Sequence, residues 1–148
     1  MESPTATATL RYSHIETAIL AVESALAFSA YLGAIGLLTA IDGSNLGMTT
    51  EILRGTPFHD FLVPGVLLLF ANGVLPTIVV VAALWRVPWA SWGHLVVGCT
   101  LMGWIACQIA LVGYLSPLQP IYFAIGATIA VLALLLQPPK VPADLKQS

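Results

Sequence analysis

The sequence predicts an all-α integral membrane protein, an antiparallel four-helix transmembrane bundle, and three observations carry that prediction. Hydrophobic residues make up 58% of the 148 residues and charged residues only 8%, against roughly 45–50% and about 25% in soluble domains. The apolar residues are gathered into four runs whose lengths approach the roughly 20 residues that cross a bilayer. The runs are too few, too long and too unalternating to be strands of a barrel. Helices, whose backbone bonds close within their own segment, are what lipid requires. The same composition excludes a disordered chain. Five Lys/Arg stand against seven Asp/Glu without a basic cluster, which excludes a nucleic-acid surface. The lipid bilayer is an expected partner on this reading.

The first run, Ala18 to Ile41, is interrupted only by Glu23 and small hydroxyl residues. It is longer than the apolar core of a secretory signal, and its Ala-x-Ala (Ala25 to Ala27) lies mid-run, so it reads as an uncleaved span. The second, Phe61 to Trp85, carries no charge; Pro64 suits a first turn with Asp60 as its cap, and Pro76 predicts a kink. The third is Leu95 to Leu115. The fourth, Ile121 to Leu136, reaches spanning length when Leu118-Gln119-Pro120 and Gln137 are added. Helices are therefore expected over about 15–41, 61–85, 92–115 and 119–137 of a single membrane domain covering residues 1–148. Pro138-Pro139 is expected to stop the last one.

Orientation follows from cation placement. Four spans put both termini and the turn between helices 2 and 3 on one side. That side holds Arg11, Arg86, Lys140 and Lys146, while Arg54 stands alone on the other. Positive charge marks the cytoplasmic side, so cytoplasmic termini in the plasma membrane and an exterior 42–60 loop are expected. Trp85, Trp89 and Trp92 cluster at the inner boundary, where indole rings favour the interface.

Glu23 is the sharpest candidate for function. It shares a helical face with Glu16, Ala27, Ala30 and Ala34, and small residues mark close helix approach, so its side chain is expected to point into the bundle. An ionisable group within a span costs about 2.5–3.5 kcal/mol on insertion scales; it must be neutral, hydrogen-bonded or beside water. Matching depths along the helices suggests Asn72, Thr100 and Thr128 as companions in one polar layer, forming a ligand or proton site, with a register-fixing role as the alternative. Gly33, Gly36, Gly73 and Gln108 are candidates for helix packing, as are Gly98 and Gly103. Gln108 is expected within reach of Gln119. His14 and His94 read as interfacial residues, and Cys99 and Cys107 as small buried hydrophobes.

The exterior stretch from Asp42 to Gly65 is long for a connection within a compact domain. Thr49 or Thr50 is expected to cap a short helix through Glu51 and Arg54 that Gly55 ends. Ile52, Leu53, Phe58 and Phe61 are expected to rest on the bundle. Glu51, Arg54, His59 and Asp60 are then a surface cluster; one histidine with two carboxylates is a poor metal set, and no nucleophile with a base is visible. No catalytic residue, metal or cofactor is assigned.

The segments DGSNLGMTTEIL, GTPFHDFLVPGVLL, WIACQIALVG and LQPIYFAIG resemble a family of small four-helix bacterial membrane proteins, many of them actinobacterial, with a fainter similarity to DoxX-like membrane proteins in size and in a glycine-spaced second span. The resemblance implies the fold and a membrane location, and no activity. The expected role is non-enzymatic: a self-associating bundle or an accessory subunit bound to another membrane protein. The alternative is a unit that binds or transports a lipid-like or protonated ligand through Glu23.

Overall fold

The computed structural model describes residues 4–137, with side chains from residue 14 onward. The described residues form helices and turns without a strand. α1 spans Pro4–Thr39, α2 Leu62–Leu84, α3 Ala90–Val112 and α4 Leu118–Leu136. All four, counting α1 from His14, are long and apolar enough to cross a membrane, as a multi-pass membrane protein requires. The stop at Pro138-Pro139 and two of the four cations on the side assigned as inner, Lys140 and Lys146, lie outside the described residues, as does the side chain of Arg11.

α1 begins well before residue 15. No Gly or Pro interrupts the sequence between Pro4 and Gly33, and proline suits a first helical position, so nothing stops the helix where the apolar run ends. At about 1.5 Å per residue it reaches about 54 Å, more than the roughly 30 Å hydrocarbon core. Ile19, Glu23, Ala27, Ala30, Ala34 and Leu37 form its buried face. α2 carries a π-turn over Leu69–Val74, in which the Leu75 N–H reaches back to Phe70 O. Pro76 explains it: the ring brings no N–H to the carbonyl of Asn72 and crowds it, and widening the turn relieves both. The expected kink is thus a wide turn placed just before the proline. Thr77 Oγ1 donates to Gly73 O at 2.8 Å, and the Tyr31 hydroxyl on α1 meets Thr77 Oγ1 at 3.1 Å.

α3 and α4 make the closest approach. A Cβ on Gly98 would sit 2.7 Å from Ala130 N and 2.7 Å from Gly126 O, and one on Gly126 2.9 Å from Gly98 O. Gly33, Gly36 and Gly73 meet Leu68, Leu46 and Tyr31, whereas Gly103 faces open space. Gln137 Nε2 donates to Ser91 O at 3.0 Å, tying the end of α4 to the start of α3. Cys99 and Cys107 are exposed, correcting the expectation that they are buried; Cys107 lies at the wall of an apolar cavity.

Between α1 and α2 the backbone closes on itself, Phe61 N–H donating to Ile41 O at 2.8 Å. Short 3-10 turns form at Ser44–Leu46 and Thr50–Leu53. Gly43 adopts φ +86, and a Cβ there would meet the Phe61 ring at 2.7 Å, so only glycine fits. Leu53 and Phe61 pack on Leu37, with Met48, Ile52, Phe58, Leu68 and Val112 around them. The loop is a fitted cover on one end of the bundle. At the opposite end, Trp85, Trp89 and Trp92 are exposed around the turn from α2 to α3. That turn holds Arg86 at φ +56, where Val87 N–H donates to Ala82 O and Arg86 N–H to Ala83 O; this paired capping pattern normally takes glycine at the left-handed position.

Candidate functional site

Two features stand out: an ionisable pair inside the bundle and a half-open apolar cavity, some of whose lining residues, such as Leu115 and Leu118, are exposed. Glu23 is 0% exposed and His94 2%, and His94 Nδ1 lies 2.9 Å from Glu23 Oε2. α1 supplies the acid from its small-residue face. α3 supplies the imidazole one turn after its start, where Gly93 lets the helix settle against Val79 (a Cβ there would be 2.9 Å from Val79 Cγ2). The second carboxylate oxygen, Glu23 Oε1, has no hydrogen-bond partner among the described residues. A polar vestibule of about 240 Å³ opens beside the pair at the tryptophan end; His94, Glu16, Arg86 and Ser91 contribute to its wall.

The cavity, about 420 Å³, lies in the other half of the bundle. Leu26 and Ala30 of α1, Leu68 of α2 and Leu101 and Trp104 of α3 line it, and Phe58 belongs to the loop that roofs it. Asn72, on the π-turn, also lines it. It is 2% exposed, and neither its amide nitrogen nor its amide oxygen has a partner among the described residues. Widened turns recur at functional positions, and a buried amide left with four unmet hydrogen-bonding positions is costly. On the α4 side, Ser29 Oγ donates to Leu26 O at 2.8 Å and receives the Tyr122 hydroxyl at 3.3 Å.

The polar layer expected from depth matching is not assembled. Glu23 bonds to His94; Thr128 is exposed and donates to Ala124 O on its own helix at 2.8 Å; Thr100 is half-buried; Asn72 belongs to the cavity. His94 went unrecognised as the partner, although its depth, one turn into α3, matches that of Glu23 as well as Thr100 does. Gln108 lines the cavity, but Gln119 turns to backbone instead, accepting from Leu115 N–H at 2.9 Å and donating to Gly113 O at 3.2 Å. On the loop, Arg54 and Glu51 form an exposed ion pair at 2.9 Å. Asp60 Oδ1 accepts the Leu62 N–H at 2.9 Å, starting α2, and His59 is exposed. Among the described residues no three His, Cys, Asp or Glu side chains gather to hold a metal ion. The Asp42 carboxylate, bonded by the Ser44 N–H and hydroxyl at 3.0 and 2.7 Å, is held below the usual aspartate range by those bonds.

Fold and site together define a helical bundle of four candidate membrane spans, with a closed ionisable pair at one end and an apolar cavity at the other. Comparison of the chain with protein-family models, curated proteins and solved structures gives no match.

Proposed function

We propose that the chain is a binding unit of the cytoplasmic membrane that holds a lipid-like molecule in the cavity beneath its loop. The observation that carries this reading is the cavity of about 420 Å³ with Asn72 at its wall. Ligand sites typically occupy roughly 300–1,000 Å³, are mostly apolar, and carry a few polar groups that fix orientation. An unpartnered carboxamide offers a donor at Nδ2 and an acceptor at Oδ1 side by side. A head group that both accepts and donates, such as a neutral carboxylic acid, a primary amide or a hydroxy-ketone, answers both atoms while its chain takes the apolar space. Cytoplasmic termini follow from the cations Arg11, Arg86, Lys140 and Lys146 against Arg54.

The test uses the full chain in nanodiscs with a photoactivatable long-chain fatty acid, its amide and its methyl ester. Adducts on the Leu101–Val112 part of α3 are expected, in preference for acid and amide over ester. Asn72→Leu, which removes two hydrogen bonds worth about 0.5–1.5 kcal/mol each, is expected to weaken amide binding about tenfold. Labelling spread evenly over all outward helix faces, unaffected by Asn72→Leu, contradicts the reading.

A second reading, self-association, is supported by the outward face of α3. Cys99, Gly103, Ala106 and Ala110 are exposed small residues at helical spacing, the pattern that lets membrane helices approach one another. Oxidative crosslinking through Cys99 in membranes captures a dimer on this reading, and Gly103→Leu abolishes it; no crosslink at any protein-to-lipid ratio removes it.

A further inference from the structure

We propose that Glu23 and His94 form a proton-exchange site that communicates with water through the vestibule at the tryptophan end of the bundle. The proposal stands apart from the lipid cavity, which neither residue lines.

The pair is closed to solvent on the Glu23 side and approached on the His94 side. Glu23 is 0% exposed, while His94 forms part of the wall of the roughly 240 Å³ vestibule. At about 30 Å³ of liquid volume per molecule, that space takes several waters, and Glu16, Arg86 and Ser91 supply polar partners for them. The route is therefore water, then imidazole, then carboxylate. Nδ1 is committed to Glu23 Oε2 at 2.9 Å, which leaves Nε2 as the nitrogen that trades protons with the vestibule. Starting from a carboxylate and an imidazole protonated at Nδ1, a proton from a vestibule hydronium or buffer acid adds to Nε2. The Nδ1 proton passes to Oε2, leaving a carboxylic acid and an imidazole protonated at Nε2. One proton is gained, the pair goes from one negative charge to none, and no heavy atom moves far. Reversal returns the proton to the same face.

The surroundings suit this chemistry. Among the described residues, the charged groups around the vestibule are Glu16 of α1 and Arg86 of the turn. α2 contains no titratable side chain, and α4 contains only Tyr122, whose hydroxyl is engaged with Ser29 in the other half of the bundle. His14 is exposed on α1. Intramembrane ionisable residues that pair with one another commonly mark proton relays. Arg86, in a left-handed conformation at φ +56, sets a fixed positive charge at the mouth.

The test is a pH jump followed by time-resolved infrared spectroscopy on the full chain in nanodiscs. The Glu23 carboxyl band is identified by isotope-labelled glutamate and by its loss in Glu23→Gln, and imidazole nitrogen resonances report His94 in the unsubstituted protein, so the assignment survives should Glu23→Gln fail to fold. The vestibule is then plugged after folding: Ser91→Cys, with Cys99→Ser and Cys107→Ser, is modified by a bulky thiosulfonate and later released by reductant. Carboxyl and imidazole signals are expected to change together, with the rate falling at least tenfold under the plug and recovering on release. Arg54→Ala, on the loop at the opposite end of the bundle, leaves the rate unchanged. Bands that ignore pH throughout the stable range, or a rate indifferent to the plug, overturn the proposal.

Discussion

Replacing His94 by leucine tests whether the buried pair holds α1 against α3. Among the described residues, His94 is the only hydrogen-bonding partner of Glu23, whose Oε1 already has none. The substitution therefore leaves a whole carboxyl group unsatisfied at 0% exposure. Stranding a buried polar group costs about 1–3 kcal/mol, and more where the group is charged; a loss of about 3 kcal/mol is expected. Adding Glu23→Leu to His94→Leu removes the stranded group and should recover part of that loss, so the two substitutions are strongly non-additive. Reversible unfolding in mixed micelles, followed by tryptophan fluorescence, measures all four members of the cycle. A His94→Leu variant within about 0.5 kcal/mol of the parent, or additive substitutions, would refute the reasoning.

Other predictions are narrower. Gly98→Ala drives a methyl group onto the α4 backbone at 2.7 Å and should cost about 1–3 kcal/mol in the same unfolding assay. Gly103→Ala, facing open space, should be neutral or mildly stabilising. Arg54→Ala removes an exposed ion pair and should change stability by less than about 1 kcal/mol; a larger loss would mean that the loop depends on that pair. The Asp42 carboxylate is favoured in the folded loop, so its contribution is complete above the unfolded value of about 4 and fades as pH falls through the lower native value. The protection factor of the Ser44 amide should fall in that acidic window, and Asp42→Asn should abolish most of the change.

The spans were legible because lipid imposes a length and a composition that no other element shares. The loop's placement was legible as well: Leu53, Phe58 and Phe61 are too apolar to leave in water, and Gly43 and Gly55 mark its turns. Tertiary pairing was not. Helical periodicity turned Glu23 inward, yet any polar residue at similar depth on another helix was an equal candidate partner, and Thr100 and Thr128 face elsewhere. His94 read as interfacial because it follows the tryptophans, whereas Gly93 lets α3 sit deep enough to bury the imidazole. Pro76 announced a disturbance in α2 without saying that it would become a wide turn presenting Asn72 to a cavity. Cavities depend on how several helices diverge, and no single segment encodes that.

The side-chain amide resonance of Asn72, observed in nanodiscs while a long-chain primary amide is titrated in, tests the central claim most directly. The account predicts a saturable shift of that one Asn resonance, absent with an alkane of equal length and lost when Leu111→Trp fills the cavity. An Asn72 signal that stays fixed while the amphiphile binds elsewhere on the protein would contradict it.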